Sequence, residues 1–382
     1  MAEYRRTRYL LFRCDEDEPA RPSVAVSILT GEEVPLDEED AVALLAVPAD
    51  RFVPAAGRDE ARLRALASLG VLVSDEREDR LVELRRRDEQ LAANGWYLYA
   101  ALFHALTRRH GVDLALGERL DEERLRRTAA SVARRRARAG RPSPAFHHAP
   151  GAQAVLELPL EPERGELFEL LERRRTARGY EAGAAMTVAQ LSTVLRTVFG
   201  CRGVIDHGGG YVLQRKTSPS GGALHPIEAY PIVRRVDGVA AGLYHYDVER
   251  HALELLEELT DDGATELLRS STCGQGHFMH AQVAFVLTAR FRRNFWKYWT
   301  QKDQYGVLLL DAGHLSQTLY LVATALGLDA FVTAVVNHDD VGERLGLGRY
   351  DEGALVVCGC GVPASPSELL PTFRTYTPAR PR

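Results

Sequence analysis

The sequence predicts an α+β fold, and three observations carry that prediction. Short apolar runs follow one another at 229–236, 243–247 and 253–257, as strands joined by hairpins do. One long apolar stretch with helical spacing starts at Tyr305, passes through Leu308, Leu315, Leu319 and Val322, and stops at Gly327, a C-cap signal. No G-x-G-x-x-G follows a strand-like run, so a doubly wound dinucleotide fold is not indicated.

Composition narrows the function classes. The chain has 382 residues, 45% hydrophobic and 26% charged, with a formal net charge of −5. That length holds two domains and a substantial core. The net charge argues against a nucleic-acid-binding surface over the whole protein. No apolar run reaches 18 residues and the N-terminus is charged, so neither a membrane span nor a signal peptide is expected and the cytoplasm is the expected location. Cys14, Cys201, Cys273, Cys358 and Cys360 are odd in number and scattered, which does not describe a disulfide framework. Cys358 and Cys360 lie in an apolar run and read as core residues. Two ligands do not complete a zinc site, so no metal is predicted.

Three segments follow in order. Residues 1–78 carry strand-like runs at 8–13 and 23–29, the second closed by Thr30-Gly31. A helix over 41–47 has Asp37 to Asp40 at its start, a second helix spans 59–69, and a strand spans 71–74. This order fits a small winged-helix-like α+β module or an irregular cap on a larger domain. It offers no basic recognition helix, which speaks against reading DNA. Residues 79–155 read as a helical connector and linker, helical over 79–116 with a break at Asn94-Gly95, and with Trp96, Tyr97, Tyr99, Ala100, Phe103 and Leu106 spaced as an apolar face. The arginine-rich stretch 124–141 reads as a solvated helix face, and 142–150, with His147 and His148, as a linker. Residues 156–382 are the larger domain: a helix over 167–174, a second opened by the capping-box spacing at Thr187, a strand over 282–291, then the basic-aromatic segment 292–302. After the long helix come a strand over 330–336, a short helix over 339–345 and a last strand over 354–360.

Two stretches carry chemistry. Residues 216–230, K-T-S-P-S-G-G-A-L-H-P-I-E-A-Y, crowd small residues and two prolines ahead of a strand, so backbone amides can approach a flat or anionic ligand. About 40 residues earlier, R-R-R-T-A-R at 173–178 offers guanidinium forks and the Thr176 hydroxyl, a donor set suited to phosphate. Together they fit a phosphorylated planar cofactor such as flavin mononucleotide (FMN).

These motifs, with L-L-D-A-G-H-L-S-Q-T-L-Y-L-V-A-T-A-L-G-L at 309–328, resemble the nitroreductase-like flavoenzyme superfamily. Within it they resemble the SagB-type dehydrogenases of ribosomal peptide maturation, which include azoline oxidases. The resemblance spans about 167–362. It implies a nitroreductase-like FMN domain: an antiparallel-rich mixed sheet flanked by helices, a long central helix, and a homodimer with the flavin sites at its interface. It implies that Arg174, Arg175, Thr176 and Arg178 hold the FMN phosphate and ribityl chain. Pro219, Ser220, Gly221 and Gly222 would lie against the isoalloxazine, and Gly327 and Leu328 would approach the flavin. Asp329 stands where the family has glycine. The Lys297-Tyr298 pair, in N-F-W-K-Y-W, matches the family's proton-abstracting pair, with a somewhat longer spacing to Asp311.

The partners so implied are a precursor peptide and a cyclodehydratase complex. Two other readings stay open: a general NAD(P)H-dependent nitro or quinone reductase, and a non-catalytic scaffold of a peptide-modifying complex. His225 and His314 read as structural histidines, and Glu228 as a loop anchor or flavin neighbour.

Overall fold

The computed structural model describes residues 2–14, 22–55, 57, 59–115, 122–146, 149, 153–156, 158–159, 162–298 and 301–364. His147 and His148 of the expected linker lie outside them, as do Trp299 and Thr300 after the Lys-Tyr pair.

The architecture is α+β, as expected. Six strands form the main sheet: β1 (Ile227–Val233), β2 (Gly242–Asp247), β3 (Ala252–Glu258), β4 (Val283–Arg290), β5 (Asp329–Thr333) and β6 (Glu352–Gly361). Their order is β3-β2-β1-β4-β6-β5, and each neighbouring pair runs antiparallel. Among the described residues, parallel pairing is confined to the short Met186–Thr187/Val236–Asp237 ladder and the Thr176–Ala330 bridge. Strand β4 is buried from Val283 to Ala289, which is why its sequence is apolar on both faces, Thr288 excepted, instead of alternating. Cys358 and Cys360 are both fully buried on β6, packing as the sequence implied. Burial pushes the Cys360 thiol up to about 12, so it behaves as an inert core group.

The central helix, Gln304–Ala325, packs against β5 and β6. Its 22 residues make it about 33 Å long at 1.5 Å per residue. Tyr305, Leu308, Ala312, Leu315, Leu319 and Ala323 recur every three or four residues and are buried. Gly327, at φ +71°, ends the helix: its amide donates to Thr324 O at 3.2 Å, and the Leu328 amide donates to Ala323 O at 2.8 Å. That pair of bonds is a Schellman closure, and it turns the chain directly into β5.

The first 74 residues build two three-stranded sheets and two helices around their own core, which includes Tyr4, Leu44, Leu63 and Leu66. The connector differs from expectation. The sequence reads as helical over 79–116; helices Asp79–Ala93 and Leu98–Thr107 form, but the second stops at Arg108, well short of residue 116. The Arg108 guanidinium turns inward to Asp339 at 2.5 Å, and Arg349 pairs with the same carboxylate. On that helix the buried face carries Ala100, Ala101, His104 and Ala105, while Tyr99, Phe103 and Leu106 are exposed. Trp96, ahead of it, packs against the rings of Phe291, Phe295, Tyr305 and Tyr350. The connector is thereby fixed to both the central helix and the start of β6. No helix among the described residues is long and apolar enough to cross a membrane.

Candidate active site

Residues 216–226 run along the central helix, and three hydroxyl or amide donors fix them there. Ser218 Oγ lies 2.6 Å from Thr318 Oγ1. Ser220 Oγ donates to Asp311 Oδ2 at 2.5 Å, and the Gly221 amide donates to Asp311 Oδ1 at 3.0 Å. Asp311 and Thr318 are seven residues apart, so they share one helix face. Ser220 Oγ also accepts the His225 amide at 3.0 Å, closing the loop on itself. Asp311 is buried; burial raises its carboxyl above the ordinary range, against the pull of its two donors.

The loop is sterically demanding. Ala223 (φ 57°) and His225 (φ 46°) adopt left-handed conformations that non-glycine residues rarely hold. A Cβ on Gly221 would collide with Val307. Gly222, at φ +62°, has Lys297 Nζ and the Tyr298 hydroxyl directly against it, the latter 2.8 Å from where a Cβ would stand. Glycine is therefore required twice here, by space at Gly221 and by both space and backbone at Gly222.

Lys297 and Tyr298 end a helix, Phe291–Tyr298, where the sequence showed only a basic-aromatic segment. Phe291, Asn294 and Phe295 bury one face of that helix and leave Trp296 and Lys297 exposed. The Lys297 ammonium lies 5.6 Å from the Tyr298 ring centroid, within cation–π range. Two motifs 75 residues apart in sequence thus meet: the Lys-Tyr pair lies on the glycine loop.

The arginine segment meets a different part of the helix. Arg174 packs over the Tyr320 ring at 5.3 Å, and Thr176 Oγ1 lies 3.1 Å from the Tyr320 hydroxyl. The Ala177 amide donates to Ala330 O at 2.8 Å, which sets Arg174–Thr176 beside the Gly327–Leu328 turn. Arg175 Nε pairs with Asp329 Oδ2 at 3.0 Å, while Arg178 is exposed. The residue that departs from the family pattern thus occupies one of the arginines expected to grip phosphate. Tyr320 and Asp311 are about 13 Å apart along the helix axis. One chain therefore forms two clusters on one helix, Arg174–Thr176 with Gly327–Leu328, and Pro219–Gly222 with Lys297–Tyr298.

Behind the loop lies an ionic group that sequence reasoning did not assemble. Glu228 on β1 contacts Arg290 Nε at 2.6 Å and His245 Nε2 at 3.6 Å, and His245 Nδ1 lies 2.8 Å from Glu254. Burial opposes ionisation of Glu228, yet His245 and Arg290 hold its carboxyl below the usual range. His245 is pushed up to about 9, first by Glu228 and then by Glu254. His225 is held down at about 4 by burial and then by the Lys216 charge, so it is neutral at pH 7. Glu352 accepts from Thr288 at 2.5 Å and Tyr230 at 3.0 Å, and burial raises its carboxyl. Partners from β1, β2 and β4 come together only through strand pairing, which single-sequence spacing does not reveal. Among the described residues no group of three or more His, Cys, Asp or Glu could hold a metal ion.

A family model described as the nitroreductase family matches residues 171–362. The MJ1384 protein of Methanocaldococcus jannaschii, named for a nitroreductase, is 30% identical over 188 residues, covering 49% of this chain and 88% of that protein. The trifolitoxin-processing protein TfxB of Rhizobium leguminosarum bv. trifolii is 35% identical over 142 residues, 37% of this chain and 38% of TfxB. Among solved structures, the Escherichia coli microcin synthetase McbBCD complex with truncated pro-MccB17 bound aligns at TM-score 0.45 and 21% identity, over 64% of this chain and 95% of the matched one. The matched residues 171–362 contain the arginine segment, the glycine loop, the Lys-Tyr pair and the central helix, and this chain belongs to the nitroreductase family.

Proposed function

We propose that this chain is an FMN-dependent dehydrogenase of ribosomal peptide maturation, of the SagB type, that oxidises a modified peptide by converting an azoline to an azole or by a related desaturation. The observation that carries the reading is the meeting of Lys297 and Tyr298 with Gly221-Gly222. A reductase of small electrophiles has no need of a paired amine and phenol at that surface, whereas aromatising an azoline needs a base. The likeness to a protein named for trifolitoxin processing supports a peptide substrate.

The residues present fit FMN. Arg174, Arg178 and the Thr176 hydroxyl would take the phosphate and ribityl chain, the loop Pro219–Gly222 would face the ring, and Gly327 and Leu328 would border it. At Gly221 and Gly222 the space a Cβ would fill is taken by Val307, Lys297 and the Tyr298 hydroxyl, which brings the Lys-Tyr pair against the loop that would face the ring. When bound, FMN supplies the hydride acceptor. The protein's own part is to place the base and the ring-facing loop. Lys297 Nζ would take the proton from the azoline carbon, and the Tyr298 hydroxyl would relay it outward. Asp311 keeps the loop amides in position through Ser220 and Gly221.

The two clusters on one helix support a homodimer in which a second copy completes each site. The apolar side chains Leu309 and Leu310, 42% and 63% exposed on the central helix, support it too. In this reading residues 1–78 are a winged-helix-like peptide-recognition domain, 79–155 the connector and 156–382 the FMN domain, with a precursor peptide and a cyclodehydratase as partners. The family match keeps a second reading alive, a general NAD(P)H-dependent nitro or quinone reductase.

One experiment separates the readings. Protein reconstituted with FMN is expected to retain the yellow cofactor through desalting and, with molecular oxygen reoxidising the flavin, to convert a thiazoline-bearing peptide with loss of two hydrogens, one as hydride to FMN and one as a proton to the base. Lys297→Ala should keep the flavin and lose the conversion. Rapid bleaching by NADPH without peptide conversion would select the reductase, and a colourless protein after reconstitution would leave a scaffold.

A further inference from the structure

A cleft of about 620 Å³ opens beside the glycine loop, lined by Arg290, Arg292, Arg293, Tyr211, Trp296 and the Gly209-Gly210 backbone, among others. Its position is set by two anchors. Arg293 donates to Leu224 O at 2.9 Å and to Val212 O at 2.5 Å, binding the loop's exit to a hairpin, Gly203–Asp206 with Val212–Arg215. Trp296 lies on the helix that ends in the Lys-Tyr pair, and Leu224, also in the lining, closely follows Gly221-Gly222 in the chain.

We propose that this cleft binds a carboxylate-bearing segment of the substrate peptide, with Arg292 taking the acidic side chain beside Arg293, Arg290 being already paired with Glu228, and the Tyr211–Trp296 rings taking a planar neighbour; this rests on the peptide-oxidation reading above. The charges support an anion. Arg292 and Arg293 donate to backbone carbonyls, of Ala93 and of Leu224 and Val212, and a carbonyl satisfies a donor without cancelling its charge. Of the acids that line the cleft, Asp351 is turned to the neutral amides of Gln90 and Asn94, each at 2.5 Å, and burial favours the neutral form of Glu352, so Arg292 and Arg293 outnumber the Asp351 carboxylate that an entering anion would meet. Arg290, though paired with Glu228, still presses on Arg293 and Lys216: burial first, then the Arg290 charge, lowers Arg293 against the pull of Glu228, and burial with both arginines lowers Lys216 against the same pull. An entering carboxylate relieves that repulsion. The ring strip is built for contact as well: Trp296 is 59% exposed, its centroid lies 5.2 Å from that of Tyr211, and Tyr211 stacks on His207. The exposed indole beside the Tyr211 ring offers a planar side chain two aromatic groups to pack on. At the hairpin tip Gly208, Gly209 and Gly210 all have positive φ, and a Cβ on any of them would meet nothing within 4 Å, so that rim leaves an extended backbone room to pass.

The test is direct binding, without turnover. A fluorescein-labelled decapeptide with Asp-Phe-Asp at its centre, and its Lys-Phe-Lys counterpart, are titrated against the full chain by fluorescence anisotropy, with flavin absorbance recorded in each sample. The acidic peptide is expected to bind more tightly, and Arg292→Glu to weaken it about tenfold, the scale of one charge-assisted contact. Trp296→Ala should weaken both peptides, and Arg344→Ala, on the distant Glu257 pair, neither. Equal binding of both peptides to the wild-type chain overturns the proposal without any variant, as does an unchanged affinity in Arg292→Glu with flavin retained. Acidic-peptide binding by a chain that never oxidises a thiazoline would leave the cleft standing and remove the dehydrogenase reading. Oxidation without acidic preference would do the reverse.

Discussion

The Ser220 hydroxyl donates to the buried Asp311 carboxylate at 2.5 Å, and this bond ties the glycine loop to the central helix. The Gly221 amide shares the same carboxylate, so Asp311→Ala strands two donors at once. Leaving buried donors unpaired costs about 1–3 kcal/mol. Asp311→Asn keeps one acceptor and should cost less. Urea unfolding is expected to rank wild type above Asn above Ala, with flavin retention falling in the same order. An alanine variant of full stability and full flavin content would show that the loop is held by other contacts.

Gly222 separates backbone strain from crowding. Alanine there must adopt φ +62° and also push against Lys297 and Tyr298. Gly238 offers the control, since its φ is +78° and a Cβ would meet nothing within 4 Å. Both alanine variants should lose about 1–2 kcal/mol from the left-handed conformation. Only Gly222→Ala should also lose peptide turnover, because only there is the Lys-Tyr pair displaced. Equal turnover in the two variants would disconnect the loop from the base.

Asp329 sets a third expectation. It holds Arg175 at 3.0 Å, although that arginine belongs to the segment proposed to face phosphate. Asp329→Asn removes a negative charge and releases the guanidinium. The Arg175 side chain is 61% exposed, so the stability change should stay below about 1 kcal/mol. The FMN dissociation constant is expected to fall about threefold, within the range of one exposed ion pair. Weaker FMN binding in this variant would mean that Arg175 serves the fold and not the cofactor.

What was legible in the sequence follows from how each signal arises. Strand β4 and the central helix stood out because burial demands long apolar runs, and their ends fell within a few residues of expectation. Thr187 was readable because its capping box is local, and both reciprocal bonds form. The Gly203–Asp206 strand escaped notice because its residues are all exposed and carry no alternation. Helix Asp261–Ser271 was missed despite its Thr260 cap and the acids that follow. Tyr99, Phe103 and Leu106 misled because aromatic spacing marks a face without saying which way it turns. The helix instead buries the face that brings His104 to within 3.0 Å of the Tyr305 hydroxyl. Of the site, the motifs and their residues were visible, but not Asp311 as the anchor of the loop, nor Lys216 and Arg293 as neighbours of His225, since these depend on tertiary placement.

The connector rests on Asp339, which pairs with both Arg108 and Arg349. The Arg108 side chain is only 4% exposed, so removing its partner leaves an uncompensated buried charge. Asp339→Ala should therefore cost about 3–5 kcal/mol, far more than any exposed pair. Hydrogen exchange is expected to show helix Leu98–Thr107 opening with it. A change under about 1 kcal/mol would mean that the aromatic cluster at Trp96 alone holds the connector.

His245 gives the pH dependence, and its sign follows from its partners. Its imidazolium is held by Glu228, the more buried carboxylate, and by Glu254, which raises it from 6.5 to about 9. A base raised on folding contributes stability that is complete below the unfolded value, near 6.5, and is lost as pH climbs through 9. Glu228 is shifted the other way, below the ordinary 4.5, so its contribution is present above that value and disappears as pH falls through the lower folded one. The pair is therefore most stabilising between the ordinary carboxylate range and about pH 6.5. His245→Gln removes the charge while keeping a polar side chain. Its melting temperature should lie furthest below wild type near pH 6, and the gap should narrow steadily to pH 9.5. A gap that stays constant across that interval would show that His245 carries no proton into the folded pair, and that Arg290 alone neutralises Glu228.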